Sequence, residues 1–342
     1  MQSTNRLAYK LVCFAAVLAL IVVMLGAYTR LKDAGLGCPD WPGCYGHMVA
    51  PTTPAGVLHA TTAFPGEAVN EMKAWTEMTH RYVAGTLGLL IFISALLIIS
   101  RRKLANQPIG LALGLMALVV FQALLGMWTV TLRLLPTVVM LHLLGGMTIL
   151  TLLWLLVLRL GEFFQTKTHY SARVFRPWAV IGLIIVIAQI ILGGWTSANY
   201  AALACPDFPY CQGKLLPPLD FQSAYQFWMA IGPNFQGGVL NNIARVTIHM
   251  THRFGGLITF IYISWLAIWL LVASKSEILQ RIAVIMLVVL VTQVMLGIAN
   301  VVWLLPLPIA VAHNGVAALL LLSVVTLNYA LYVLVKNKSA LK

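Results

Sequence analysis

Seven strongly apolar stretches of this chain contain no Asp, Glu, Lys or Arg: Leu11–Thr29, Tyr82–Ser100, Leu104–Leu132, Leu134–Leu158, Pro177–Pro206, Phe254–Ser274 and Ile282–Val335. A helix needs about 20 apolar residues to cross the hydrocarbon layer. Each of the first six stretches therefore accommodates one crossing. The last is long enough for two, and Pro306 and Pro308 supply the turn between them. Only 9% of the residues are charged, against roughly 25% in a soluble protein. A soluble enzyme with one large core is excluded. The sequence predicts an all-α integral membrane protein with eight transmembrane helices.

The formal net charge of +13 would suit a nucleic-acid binder, but its distribution argues otherwise. With eight spans, both termini share one side. That side carries fourteen Lys and Arg against Glu162 and Glu277, whereas the opposite side carries eight basic and seven acidic residues. The positive-inside rule then puts both termini in the cytoplasm, and no nucleic-acid partner is needed. The basic start and first apolar run resemble a signal peptide. The run is long, lacks an Ala-x-Ala-like site and precedes seven more spans, so it is read as a retained helix. No Arg- and Ser-rich transit segment precedes it, and the expected home is a bacterial cytoplasmic membrane.

The chain also repeats itself. Gly26–Cys44 matches Gly193–Cys211 at an offset of 167, and both end in Cys-Pro-Asp-x-Pro-x-Cys. Met78–Arg81 (Met-Thr-His-Arg) recurs as Met250–Arg253, Gln122–Gly126 as Gln293–Gly297, and His142 falls on His313. The offset grows by five between the second Cys pair and the next helix, which places an insertion there. Each half has four spans, so both enter the membrane in the same orientation, as parallel repeats do. The expected architecture is two four-helix bundles side by side: residues 1–165 with outer loop 30–76, and residues 171–342 with outer loop 198–245. Long ordered loops usually carry function, so the chemistry is expected near the outer face.

His80, His142, His252 and His313 fall one to two turns inside the outer ends of spans two, four, six and eight. A single intramembrane histidine is usually a packing residue that bonds a neighbouring helix. Four at matching depth in two repeats ask for a shared partner. Haem iron fits best, since it takes axial imidazoles from facing helices and its macrocycle is apolar. Gly145, Gly146, Gly255, Gly256, Gly85, Gly88 and Gly315 follow the histidines. They would let a macrocycle approach the backbone, although helix–helix packing explains them equally well. Arg81 and Arg253 stand one residue after a histidine and suit haem propionates; snorkelling to the interface is the alternative. His47 and His59 lie in the first outer loop and His169 in a cytoplasmic one, without an assigned role.

Taken together, the paired Cys loops, Glu77-x-x-His80-Arg81, His142, His252-Arg253 and His313 in eight spans resemble the haem A synthase family over nearly the whole chain. The resemblance implies an oxidoreductase that converts a methyl group of haem O to a formyl group, giving haem A for terminal oxidase assembly. It further implies a substrate haem in the N-terminal half near His80 and His142, and a haem b cofactor held by His252 and His313. Haem O synthase, oxidase assembly factors and a second copy of the chain are the implied partners within the bilayer.

The halves differ where Glu77 stands opposite His249. Glu77 shares a helix face with His80. A carboxylate at a haem edge can take a proton or stabilise developing positive charge, and the family places a functional glutamate here. The alternatives are an ion pair with Arg81 or a first-turn acid favoured by the helix dipole. His249 is read as orienting its neighbour His252, ahead of a cap or a substitute ligand. Cys38/Cys44 and Cys205/Cys211 stand on the oxidising side, which permits a disulfide in each loop. No loop offers an obvious four-ligand zinc set, and a redox role for Cys38 and Cys44 beside the substrate is compatible with the disulfide. Cys13 is a small packing residue within the first span. A bis-His membrane b-type cytochrome, a haem delivery protein and a quinone-linked thiol oxidase are the rival readings. The first leaves Glu77 and the Cys loops unexplained, and the last leaves the histidines idle.

Overall fold

The computed structural model describes residues 3–104, 107–164, 170–232 and 234–336. His169, together with Lys167, Lys338 and Lys342 of the charge distribution, lies outside them. The helices are α1 (Ser3–Leu31), α2 (Pro54–Ala63), α3 (Glu71–Ser100), α4 (Ile109–Thr131), α5 (Pro136–Leu160), α6 (Arg176–Ala198), α7 (Phe221–Ala224), α8 (Asn242–Ala273), α9 (Glu277–Val302) and α10 (Leu307–Lys336), with a 3-10 helix at Tyr170–Phe175 before α6. Among the described residues there is no strand, only isolated bridges Cys44–His47 and Cys211–Lys214. Eight helices, all but α2 and α7, are long and apolar enough to cross a membrane.

The spans satisfy their backbone internally, as hydrocarbon demands, and stop where the sequence offers a substitute for the next turn. α4 ends as Arg133 and Leu134 adopt positive φ, and α9 ends the same way at Leu304 and Leu305. α3 and α8 begin earlier than hydropathy alone suggests, because Asn70 and Asn241 accept hydrogen bonds from Lys73 N–H and Ala244 N–H and cap the exposed first turns. These extra turns carry Glu77 and His249 above the apolar runs.

α1 packs against α3 and α5, and α4 against the same two helices; α10 packs against α9 and α6, and α8 against the same two. α1 and α5 also meet α10, and α5 meets α6. Lipid tails are as apolar as leucine, so hydrophobicity does little to hold spans together, and close approach of small residues takes its place. Ala8, Ala15, Ala16 and Ala19 of α1, Ala267 of α8, Ala283 of α9 and Ala318 of α10 are accordingly buried, while Phe14, Val17 and Ile21 remain exposed on the outside of α1.

The second long loop lies across the first half. Phe235 N–H donates to the Arg133 carbonyl at 3.0 Å, and Thr137 Oγ1 donates to the Phe227 carbonyl at 2.7 Å. From α1, Arg30 donates to the Ser197 carbonyl at the end of α6 at 2.6 Å, and its guanidinium lies 3.7 Å from the Tyr200 ring centroid. The expected insertion site is where the loops diverge: the first contains α2 and the second the shorter α7.

Candidate functional site

The outer disulfide loops are built by one local recipe. Cys38–Cys44 and Cys205–Cys211 are both bonded, with Cα–Cα distances of 4.7 and 4.6 Å, inside the range a disulfide accepts. Between the cysteines, Asp40 accepts N–H bonds from Tyr45 and Gly46 at 2.6 and 2.8 Å, and Asp207 accepts from Gln212 and Gly213 at 2.7 and 2.8 Å. Gly46 and Gly213 have φ of 78° and 75°, a left-handed turn that glycine takes without a Cβ clash. An aspartate between the cysteines and a glycine after them are therefore what this loop requires.

Each loop is fastened to a span by an arginine. Arg81 donates to the carbonyls of Asp40, Pro42 and Gly43, the first at 3.0 Å. Arg253 donates to Cys205, Asp207 and Tyr210 at 3.0, 2.9 and 2.8 Å. Both guanidiniums thus point into the loops directly above the histidines. Glu77 is buried, pairs with Arg81 at 2.5 Å and accepts the Cys38 N–H at 2.9 Å. At the matching place His249 is buried, with Nδ1 3.0 Å from the Ala201 carbonyl, which accepts its N–H. The carboxylate and the imidazole each tie a span to the chain beyond the preceding one.

Below these links lie the four histidines. His80 stands nine residues into α3 and His252 ten into α8; His142 and His313 each stand six into α5 and α10. Each imidazole rests against a glycine of a neighbouring odd-numbered span. A Cβ on Gly26, Gly193 or Gly297 would come within 3.1 Å of Cε1 of His80, His252 or His313, and one on Gly126 within 3.3 Å of His142 Cε1.

Three of these glycines follow a glutamine by four residues, and those glutamines reach the histidines. Gln122 donates to the His142 carbonyl at 2.7 Å and Gln189 to the His252 carbonyl at 3.0 Å. Gln189 Nε2 also lies 3.0 Å from His252 Nδ1, and Gln293 Nε2 3.2 Å from His313 Nε2. Gly145 and Gly255 make room for these amides, since a Cβ there would fall 2.1 and 2.3 Å from Oε1 of Gln122 and Gln189. Gly315 instead meets Met24, and Gly85 faces open space. Of the glycines after the histidines, Gly145, Gly146, Gly255 and Gly256 thus receive glutamines and Gly315 a methionine, and those that touch the imidazoles sit on the partner spans. The repeated Gln-x-x-x-Gly pattern was the available signal. Opposite His80 the pattern lapses, with Val22 four residues before Gly26.

Buried polar atoms ordinarily find partners. Here Nδ1 of His80, His142 and His313 and Oε1 of Gln122, Gln189 and Gln293 are buried without one. His80 and His142, each with an unpartnered ring nitrogen in an apolar helical setting, fit a role as ligands of an iron macrocycle, and His313 of the second pair shares that feature. Among the described residues no cluster of three or more His, Cys, Asp or Glu side chains is placed to hold a bare metal ion.

Residues 9–325 match the family model of COX15-CtaA, cytochrome oxidase assembly protein. A protein of Shewanella oneidensis named heme A synthase is 47% identical over 316 residues, which is 92% of this chain and 94% of that protein. Proteins of the same name from Alkalihalophilus pseudofirmus and Halalkalibacterium halodurans are 26% and 27% identical. They align over 88% and 93% of this chain and 89% and 94% of their own lengths.

Proposed function

The chain belongs to the COX15-CtaA family and its function is haem A synthesis; we propose that its two halves divide that work as substrate site and electron-carrying site. In this reading the spans form two parallel four-helix bundles, residues 1–165 and 171–342, with both termini in the cytoplasm of a bacterial inner membrane. The matched loops, the matched histidines and the excess of basic residues on one side support that arrangement.

His80 and His142 would hold the substrate, haem O, and His252 and His313 would hold a haem b, each iron taking imidazoles from two helices. Haem b supplies one-electron redox chemistry to the oxidation of a porphyrin methyl group to a formyl group. Gln189 and Gln293 lie against the rings of His252 and His313 through their amide nitrogens and fix where those rings sit. Arg253 sets positive charge above the second pair, where propionates would lie, whereas Arg81, paired with Glu77, would meet a propionate only alongside that carboxylate. Glu77 accepts protons released as the methyl group is oxidised, and the Arg81 pair and the Cys38 N–H keep its carboxylate in place. Cys38 and Cys44, both fully buried, close the site on the loop side through their disulfide.

The observation that carries this division is the substitution at one frame: a buried carboxylate precedes His80 by one turn, whereas a buried imidazole precedes His252. The Glu77 carboxylate is a group that can take protons where C–H bonds are broken, whereas His249 spends its Nδ1–H on the Ala201 carbonyl and ties the span to the loop. The test is co-expression with a source of haem O, followed by extraction and chromatography of the haems. Haem A or its hydroxymethyl precursor is expected with the intact chain. Unchanged haem O alongside a reversible b-type spectrum would overturn the reading.

A further inference from the structure

Two histidines outside the spans remain unused by this chemistry. His47 follows the first disulfide, His59 lies on α2, and both are exposed on the outer face. His47 Nε2 and His59 Nδ1 are 3.3 Å apart, with ring centroids 5.0 Å apart. We propose that this pair is a binding site for one zinc-class divalent cation. Zinc bonds imidazole at about 2.0–2.1 Å, and tetrahedral angles then put two such nitrogens roughly 3.3–3.4 Å apart. The spacing in hand is that bite.

The backbone supports of both rings are fixed. Cys44 N–H donates to the His47 carbonyl at 2.7 Å, and His47 N–H donates back to Cys44 at 3.2 Å. The disulfide and the Asp40 turn hold that segment from the other side. α2 is capped by Thr53, whose hydroxyl accepts the Gly56 N–H at 3.1 Å, and it is anchored through fully buried Ala60, next to His59. A chelate on two stapled segments loses little entropy on binding metal. Small rotations of two exposed rings aim both lone pairs at one point, and water completes the coordination. The site is confined to the first half. In the second loop the same backbone bridge is formed by Cys211 and Lys214, so a lysine stands where His47 stands, and an ammonium does not ligate.

The experiment uses untagged full-length protein in detergent, loaded with haem so that the intramembrane histidines are engaged. Zinc is titrated against a chromogenic chelator for the wild type, His47→Ala, His59→Asn and the double variant, with haem absorbance and thermal melting as checks on folding. One zinc per chain in the wild type is expected. Each single variant should bind at least tenfold more weakly, and the double variant should lose that equivalent. Equal binding by the wild type and the double variant overturns the proposal. So does an absence of binding by the wild type at about 0.1 mM free zinc.

Discussion

The Glu77 carboxylate accepts the Cys38 N–H at 2.9 Å, which joins α3, one turn before His80, to the first cysteine of the outer disulfide. The same carboxylate neutralises Arg81. Glu77→Ala removes the proposed proton acceptor, leaves the Cys38 N–H unsatisfied and unpairs a largely buried cation. Haem A yield should fall by at least a hundredfold, while the b-type absorbance of the other half persists. Glu77→Gln keeps an acceptor for Cys38 and should preserve the fold while losing comparable activity. Full haem A yield from Glu77→Ala in protein that still binds haem would refute the catalytic role.

The histidine pairs should separate by spectrum. His252→Ala and His313→Ala are expected to abolish the low-spin b-type signal and turnover together. His80→Ala and His142→Ala should retain that signal and lose product. Reduced-minus-oxidised spectra with chromatography of extracted haems make the comparison, and a uniform loss across all four variants would contradict the division of labour.

The glycines facing the imidazoles offer an independent check. Gly193→Leu would drive a side chain into His252, where even a Cβ comes within 3.1 Å of the ring. Overpacking of this kind costs about 1–3 kcal/mol and should displace the ligand, with loss of the b-type band. Gly26→Leu should do the same to His80, abolishing product and sparing the band.

Arg30 ties the outer ends of α1 and α6. Arg30→Ala removes a charged hydrogen bond to the Ser197 carbonyl and the contact with the Tyr200 ring. A loss of roughly 2–3 kcal/mol is expected, read as a lowered thermal midpoint of the detergent-solubilised protein. Arg30→Lys keeps the charge but not the fork and should recover only part of it.

Acid should act on the second disulfide loop through Asp207. N–H donation from Gly213, then from Gln212, holds its carboxyl below the usual carboxylate range. A depressed value in the folded state means the loop's stabilisation is present above the ordinary carboxylate pKa and is lost as pH falls through the lowered one. Amide exchange at Gln212 and Gly213 should accelerate on that acid side. In Asp207→Asn it should be fast already at neutral pH and insensitive to acid.

Much of this was legible in the residues themselves. Uncharged runs locate spans because hydrocarbon tolerates so few charges, and histidines at matching depth stand out against the cost of burying them. The loop motif predicted two disulfides, and both are present. Arg81 and Arg253 were harder to read, because an arginine at a membrane edge serves water, a propionate or a backbone carbonyl equally well in one dimension. Only the folded loop reveals carbonyls converging on each guanidinium. The glutamines and their glycines escaped for a related reason. Gln122 and Gln189 act across helix pairs, so their partners Gly145 and Gly255 lie some twenty and sixty residues away, and the short pattern within one span says nothing of what it faces. α2 was missed because a ten-residue helix within a long loop has too weak a periodicity to separate it from its surroundings.

Arg30 and Ser197 are 167 residues apart, the same interval that relates the two disulfide motifs, so the bond between them joins equivalent positions. A link of that kind tolerates only one cation. If both positions were arginine, two like charges would confront each other where the Arg30 side chain is only 15% exposed. In the proposed two-unit arrangement this clasp is one-sided: the first unit brings the cation and the second the carbonyl.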